Sequence, residues 1–270
     1  MSNSKVGIYV DSISLSSNGG FGIRYDILRQ YACRKNESIG RANVYIAVDQ
    51  ERTDVDENYA SRIKRFTEGL RDFQFKVIER PFTYNLDKET NQRIGRTTVD
   101  VEMAIDIVEH SKNFDKIVLL TNNLGYRNVI KIAQANGCRV ELMGFDNIPQ
   151  ELRKEADMNM SGYLIPGLLP ISNENIWGEV GNKVRAICYD YNHNEGYGFM
   201  RFIKKINDHM WVADSREAES PFQTVFSHIS QFEKDFNTEF IPSRELIFEF
   251  RLGQNDKGFI AESIRLVSAP

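Results

Sequence analysis

The chain has 270 residues, 41% of them hydrophobic and 27% charged, which excludes a disordered chain and allows a sizeable core. Its formal net charge of −4 excludes a strongly basic protein that coats nucleic acid, so any nucleic-acid surface has to be local. Three cysteines without CxxC spacing and no apolar run near the length of a membrane span exclude a disulfide framework, a zinc site and a membrane protein, and they predict a reducing cytoplasm.

Short apolar runs alternate with helical patterns in the first half of the chain. Strands are predicted at 6–10, 44–48, 75–79, 116–120 and 139–143, and helices at 23–34, 58–72, 100–110 and 125–136. Strands that alternate with helices indicate parallel βαβ units. Residues 1–166 are therefore predicted to form an α/β three-layer sandwich with a mainly parallel sheet.

The pattern changes after residue 166. Residues 167–181 contain glycines and a proline without periodicity, which predicts a linker. Residues 182–270 then contain six strand-length runs, which are VRAICYDY, YGFMRFI, HMWVAD, TVFSHI, LIFEFRL and FIAESIRLV. Strand-length runs separated by turns predict a small β-barrel as a second domain.

Three aspartates of the first domain are candidates for a functional site. Asp11 ends the first predicted strand, and ligands of parallel α/β sheets bind beyond the carboxyl ends of the strands. Asp100 opens a predicted helix, where an acid also stabilises the helix dipole, so a structural and a functional role both stay open. Asp106 lies six residues further along. That spacing is not one face of an ideal helix, and an exposed helix face is the alternative for this residue.

Several runs in residues 5–166 resemble one family. They are VGIYVDSISL, GIRYDILRQYACR, RTTVDVEMAIDIVEHSKNFDKIVLLTNNLGYRNVIKIAQANGCRVELMGF and a closing helix in ELRKEADMNMSGYLIP. These runs are similar to the NYN domains of LabA-like proteins, which have the PIN-like ribonuclease fold. The resemblance implies that Asp11, Asp100 and Asp106 hold Mg²⁺ or Mn²⁺, which would activate water for phosphodiester hydrolysis.

The chain departs from the pattern of that family at its acidic motifs. The family usually has Ser-Gly-Asp-x-Asp-Phe after the fourth strand, and here Asn123 and Gly125 replace both aspartates. Ser14 stands where the family usually has an asparagine. Asn123 therefore occupies a position that the family uses for catalysis, but an amide lacks the charge on which hard dications depend. An active but atypical ribonuclease and a domain that has lost its chemistry both stay open.

Two aromatic motifs mark the predicted barrel, GYGF at 196–199 and VFSHIS at 225–230. Side chains alternate across a strand, so Tyr197 and Phe199 should point one way, and Phe226 and His228 should share a face. Met200 and Val225 can then fill the inward positions. Exposed rings form a platform on which unpaired bases stack, at roughly 1–3 kcal/mol each. The alternative is that the rings belong to the barrel core.

These motifs and the ending RELIFEFRLGQNDKGFIAESIRLV resemble cold-shock domains, which are OB-fold barrels that bind single strands. The resemblance spans roughly residues 183–268. It implies RNA contacts at Tyr189, Tyr191, Tyr197, Phe199, Phe226, His228 and Lys257. Cold-shock domains usually carry Lys-Trp-Phe-Asn on their first strand, and here Asp190 replaces the tryptophan. An acid there should weaken the affinity for phosphates. Arg201, Lys204 and Lys205 could supply positive charge or could form an ordinary solvated loop.

The sequence thus predicts a cytoplasmic RNA-processing protein. The barrel captures single-stranded RNA, and the NYN-like domain cuts it with Mg²⁺ or Mn²⁺. The alternative is a non-enzymatic RNA-binding or regulatory protein, in which the NYN-like domain is a scaffold or a dimerisation module. Single-stranded DNA is a further ligand that the barrel would accept, a homodimer stays open, and no membrane partner is expected.

Overall fold

The computed structural model describes residues 3–34, 36–86 and 93–269. The chain forms two compact units. The first comprises Met1–Phe21, Asn36–Gly144 and Ile148–Met160, and the second comprises Gly22–Lys35, Phe145–Asn147 and Ser161–Pro270. The predicted domain boundaries after residues 166 and 181 stay a prediction. Within the described ranges no helix has the length and apolar character that a membrane span requires.

The first unit contains a seven-stranded sheet. Its strands are β1 (Ser4–Asp11), β2 (Glu37–Asp49), β3 (Lys76–Leu86), β4 (Arg93–Arg96), β5 (Lys116–Leu120), β6 (Arg139–Gly144) and β7 (Met158–Ser161), in the order β4-β3-β2-β1-β5-β6-β7. The pairs β1–β2, β1–β5, β2–β3 and β5–β6 are parallel, and β3–β4 is antiparallel. The central strands β1 and β5 are almost entirely buried, as continuous apolar runs predict for parallel strands. The mainly parallel α/β fold is confirmed.

The helices of the chain are α1 (Ser12–Ser17), α2 (Tyr25–Ala32), α3 (Gln50–Val55), α4 (Glu57–Asp72), α5 (Val99–His110), α6 (Arg127–Ala135) and α7 (Gln150–Glu155). The sequence missed α1 and α3, which are too short to show a helical period. Each follows an aspartate whose side chain caps it, Asp11 for α1 and Asp49 for α3. The predicted closing helix is wrong beyond Glu155, because Met158–Ser161 joins the sheet as β7.

The second unit contains a closed five-stranded barrel, consistent with an OB-like fold. Its strands are β8 (Lys183–Asn192), β9 (Tyr197–Ile203), β10 (Phe222–His228), β11 (Ser243–Asn255) and β12 (Gly258–Ser268), in the order β10-β12-β11-β8-β9. Met200, Val225, Phe248 and Phe250 lie in its core. The predicted small barrel is confirmed, and so are the inward positions of Met200 and Val225.

The predicted strand HMWVAD is wrong. Residues 204–221, which we call the β9–β10 loop, form turns in which the Val212 N–H donates to the His209 carbonyl. The run has the length of a strand, but among its six residues only Met210 is buried, and Trp211 is 78% exposed. Hydrogen bonds hold the loop together. In one of them, Ser220 Oγ donates to the Val212 carbonyl over 2.8 Å.

The segment that was predicted to be a linker contributes to the barrel. Trp177 packs against the barrel core, and its indole N–H donates to the Ile203 carbonyl over 2.7 Å. Asn175 exchanges two hydrogen bonds with the backbone of Lys183, at 2.9 and 2.8 Å. The residues before β8 are irregular in backbone, yet they stabilise the domain that they precede.

We expect a fragment of residues 182–270 to fold alone, because the buried core cluster of the barrel runs from Val184 to Ile264. It should be less stable than residues 167–270 by about 2–4 kcal/mol, since it lacks the burial and the hydrogen bond of Trp177. Urea melts of both fragments measure the difference, and Trp177→Ala in the longer fragment should reproduce most of it. Equal stabilities would exclude this role for Trp177, and a short fragment without a cooperative transition would show that the boundary is wrong.

Candidate functional site

Asp11, Asp100 and Asn123 come together in the first unit, beyond the carboxyl ends of β1 and β5. Thr121 Oγ1 donates to Asp11 Oδ2 over 3.0 Å, and Asn123 Nδ2 donates to Asp100 Oδ2 over 3.3 Å. The Asn123 N–H also donates to Thr121 Oγ1 over 3.1 Å, and Tyr126 Oη donates to the Asp100 carbonyl over 3.2 Å. We call these five residues the Asp11 cluster. Parallel neighbouring strands that end together produce such a convergence.

Asp11 is the most buried acid of this cluster, at 3% exposure. Its Oδ1 accepts the Ser14 N–H over 3.0 Å, so both carboxylate oxygens are already hydrogen-bonded. Burial raises the pKa of Asp11, and the negative charge of Asp100 adds to this effect, while the hydrogen bonds from Ser14 and Thr121 oppose it. Burial also raises the pKa of Tyr126, and the charges of Asp100 and Asp11 add to that shift. Asp11 therefore lies in a poorly solvated place, whereas Asp100, the second acid of the cluster, is exposed.

Replacing Asp11 by Asn should raise the melting temperature at neutral pH. The pKa of Asp11 is raised in the folded state, so its protonated form stabilises the fold below the usual pKa of 3.8, and that contribution is lost as the pH rises through the raised value. Above this window the buried charge is a net cost, whereas Asn caps a helix equally well without it. Thermal melts from about pH 4 to pH 7 should show the gain shrinking towards acid.

Asp26→Asn is the control with the opposite sign, because the hydrogen bond from Arg24 lowers the pKa of Asp26. That substitution should lower the melting temperature at pH 7. An Asp11→Asn variant that is less stable than the parent at every pH would show that the carboxylate is favourable where it lies.

Asp106 belongs to a different hydrogen-bond network. Tyr45 Oη and Asn43 Nδ2 donate to its carboxylate. Next to this pair, the Tyr9 ring stacks on Tyr45 at 6.5 Å, and Tyr9 Oη lies 2.8 Å from His110 Nδ1. No described hydrogen bond connects Asp106 with Asp11 or Asp100. Asp106 lies six residues after Asp100 on α5, and this rotation about the helix axis directs its side chain towards β2. Asp100 instead contacts the residues that follow β5.

The Asp11 cluster does not fit the Mg²⁺ or Mn²⁺ that the sequence resemblance implies. In the described part of the chain, no group of three or more His, Cys, Asp or Glu could hold a metal ion. Asp11 and Asp100 supply two carboxylates. The third candidate is Asn123, whose Oδ1 accepts the Gly125 N–H over 2.8 Å. A hard dication needs several charged oxygens that are free to coordinate it, and these residues do not provide them.

The predicted aromatic platform is present on the barrel. Phe226 lies opposite Phe199, and His228 lies opposite Tyr197, across β9 and β10. The rings of Tyr197 and Phe226 stack at 5.7 Å and 29°, and Phe199 packs edge-on against Phe226 at 6.0 Å and Tyr197 at 6.4 Å. All three rings are partly exposed. Tyr197, Phe199 and Phe226, which we call the ring cluster, thus form a surface of π faces rather than part of the core.

Tyr191 does not join that surface, although the sequence predicted an RNA contact there. It is 8% exposed and packs in the barrel core, whereas Tyr189 is exposed. A β-bulge between Cys188 and Asp190 interrupts the alternation of β8, and a bulge places an extra residue on one strand. The two tyrosines therefore lie on different faces despite their even spacing, and the buried ring of Tyr191 is not available to a base.

The remaining predicted contacts are exposed. His228 extends from β10, where its Nδ1 lies 2.9 Å from Ser230 Oγ. Lys257 lies in the turn between β11 and β12, and no described interaction links it to the ring cluster. Asp190 lies opposite Phe199, so an acid borders the rings as predicted. The platform thus has one flank that repels phosphate.

The comparison with known protein families concerns the first part of the chain. The family model of the NYN domain matches residues 5–162. No curated protein gives a significant match. Among solved structures, a protein of unknown function from Vibrio parahaemolyticus is similar, with 17% identity and a TM-score of 0.47 over 59% of this chain and 93% of that one.

Proposed function

The chain belongs to the NYN domain family, and from this premise we propose that it is an RNA-binding protein that holds single-stranded RNA on its barrel and does not cleave it. The family supplies a PIN-like fold that relates the first unit to nucleases and RNA. The barrel supplies the binding surface, and the degenerate Asp11 cluster serves as part of a scaffold. The cytoplasm is the proposed location.

The ring cluster is the observation that carries this proposal. Three aromatic side chains lie within 5.7 to 6.4 Å of one another on adjacent strands. Because the rings are partly exposed, they lack part of the hydrophobic stabilisation that they would gain in the core. Bases stack on such rings without strong sequence preference, because every base has a π face. OB-type barrels use this kind of surface for oligonucleotides.

The affinity for RNA should be moderate. The net charge is −4, and Asp190 borders the rings, so the long-range attraction of phosphates is weak. Stacking then contributes most of the binding energy, and the salt dependence should be shallow. Single-stranded DNA should bind as well, since stacking does not distinguish the two sugars.

Metal-dependent cleavage of RNA is the second candidate function. It is favoured by the convergence of Asp11, Asp100 and Asn123, which are far apart in sequence. It is opposed by the lack of a third carboxylate in the cluster.

One experiment tests both parts of the proposal. The full chain is titrated into a labelled single-stranded RNA with and without Mn²⁺, fluorescence anisotropy reports binding, and a gel reports the length of the RNA. Binding without cleavage is expected. Metal-dependent shortening of the RNA that EDTA abolishes would establish the second candidate instead.

A further inference from the structure

A surface pocket of about 570 Å³ opens beside the ring cluster. Its lining includes Tyr189, Phe199, Arg201, Ser215, Arg216 and Thr224. Phe199 belongs to both features, so the aromatic surface continues into the pocket. The volume lies in the usual range of small-ligand pockets, roughly 300–1,000 Å³, and is therefore ample for one nucleobase.

The wall of the pocket is held in place by hydrogen bonds. Residues 213–216 of the β9–β10 loop form this wall. Arg201 Nη1 donates to the Ala213 carbonyl over 2.8 Å, and Ser215 Oγ lies 2.6 Å from Thr224 Oγ1. The loop is thus tied to β9 and to β10, and the pocket is preformed rather than opened by a ligand.

Arg201 has hydrogen-bonding capacity that the protein does not use. Its guanidinium carbon lies 4.7 Å from the ring centre of Phe222 and 5.4 Å from that of Tyr189. Its Nε is buried without a hydrogen-bond partner, and among the described residues no carboxylate pairs with this side chain. Polar groups in such places are normally satisfied. Among the described residues, Nη1 has the Ala213 carbonyl as its acceptor, and Nη2 has no acceptor.

The charge of Arg201 is also uncompensated within the pocket. The acid in the lining is Asp214, and it pairs with Arg216 at 2.6 Å. Hydrogen bonds from Arg216 lower the pKa of Asp214 to about 2. Asp214 is thus committed to Arg216, and a guanidinium stays protonated in proteins. The pocket thus offers a cationic guanidinium beside two aromatic rings.

We propose that this pocket takes one base of the bound strand and that the Nη1–Nη2 end of the Arg201 guanidinium selects guanine. Guanine presents two acceptors, O6 and N7, at the spacing of an arginine fork, and this pair is the commonest specific contact of arginine with a base. Tyr189 and Phe199 supply rings for the base to stack on. The inference rests on the proposed binding of single strands, and it adds a sequence preference that the ring cluster does not give.

The test compares three short oligouridylates by fluorescence anisotropy with the full chain. Every third base is guanine in the first, adenine in the second and 7-deazaguanine in the third. The guanine strand should bind about 5- to 150-fold more tightly than the adenine strand. Adenine is the matched control because it stacks as a purine but has no O6. The 7-deazaguanine strand should lose much of the preference, since a C–H replaces N7.

Arg201→Lys keeps the charge but removes the fork, so it should abolish the preference for guanine and leave the adenine strand nearly unaffected. Arg251→Lys, at an exposed side chain of β11 that does not line the pocket, should keep the preference. Equal binding of the guanine and adenine strands would overturn the inference while the proposed function stands. If Arg201→Lys weakened the binding of both strands equally, the inference would also be overturned, and Arg201 would be assigned to a contact with phosphate. A chain that binds none of the strands would overturn both proposals.

Discussion

Removing the rings of Tyr197 and Phe226 together should weaken binding of single-stranded RNA by about 2–6 kcal/mol. Each ring offers a face to a base, and each base–ring stack contributes roughly 1–3 kcal/mol. The lower figure already corresponds to about a thirty-fold higher dissociation constant. The two rings stack on each other at 5.7 Å, so they can share a base, and this would place the loss towards the lower end of the range.

The measurement is fluorescence anisotropy with a labelled oligouridylate and the Tyr197→Ala, Phe226→Ala double variant. Phe240→Ala is the matched control, because Phe240 is a 67% exposed phenylalanine of the same unit without a described ring contact. Its affinity should equal that of the parent. Thermal melts confirm that all proteins are folded at the assay temperature. A folded double variant with parent affinity, or an equal loss in Phe240→Ala, would remove the ring cluster as the binding surface.

Strand periodicity was enough to predict the ring cluster. Alternation placed Tyr197 and Phe199 on one face, with Met200 inside, and the structure confirms this arrangement. The same rule cannot place Tyr191, because the bulge after Cys188 reverses the alternation in β8. A bulge depends on how two strands pair, and the residues of one strand do not reveal it.

The Asp11 cluster was only partly predictable for a similar reason. Asp11 and Asp100 were found because each stands at the end of a regular element, where the chain shows a change of pattern. Thr121 and Tyr126 were missed, since their contacts join residues far apart in sequence. Thr121 reaches Asp11 across 110 positions, and Tyr126 reaches Asp100 across 26. The resemblance grouped Asp106 with them. In the structure its position on α5 instead brings its carboxylate to Tyr45, whose hydroxyl donates a hydrogen bond to it.

The pocket beside Phe199 could not be predicted from sequence patterns. Within the β9–β10 loop, residues 209–214 were predicted to be a strand because the run has the length of one, and Ser215 and Arg216 had no predicted place. The loop is fixed by hydrogen bonds between side chains and backbone groups. Such bonds leave no periodic signal in a sequence. Arg201 was recognised as a local positive charge, but its place in the lining of a pocket is visible only in three dimensions.

Asn123→Asp should create a site that binds Mn²⁺ at least about tenfold more tightly than the parent does. The substitution returns a carboxylate to the side chain that lies 3.3 Å from Asp100. One further unit charge within about 4 Å of a cation contributes several kcal/mol at an effective dielectric constant of about 20. Without metal the change places like charges together and loses the amide donor. The apo variant should therefore melt at a lower temperature than the parent, and Mn²⁺ should restore its stability.

Thermal melts and calorimetric titration with Mn²⁺ measure these effects. Asn58→Asp is the matched control, because it makes the same change at an exposed position in the first turn of α4. It should show neither the apo destabilisation nor the gain in affinity. Combining Asn123→Asp with Asp11→Asn should remove the gain, since one of the three charges is lost again. A parent that already binds Mn²⁺ as tightly as the variant would show that the two carboxylates are sufficient.

Cleavage of RNA separates the two candidate functions most clearly. In a gel assay with Mn²⁺, the parent should leave single-stranded RNA intact, and Asn123→Asp should cut it if the missing charge is the principal defect. Gly125→Asp adds the other absent acid, but its Cβ would lie 3.0 Å from Asn123 Oδ1, so that side chain has to shift first. Activity in the parent that Asp11→Asn abolishes would make this chain a nuclease with an unusual site. Activity that Asp11→Asn leaves unchanged points to a contaminant. Activity confined to Asn123→Asp would show a nuclease fold whose chemistry depends on one carboxylate.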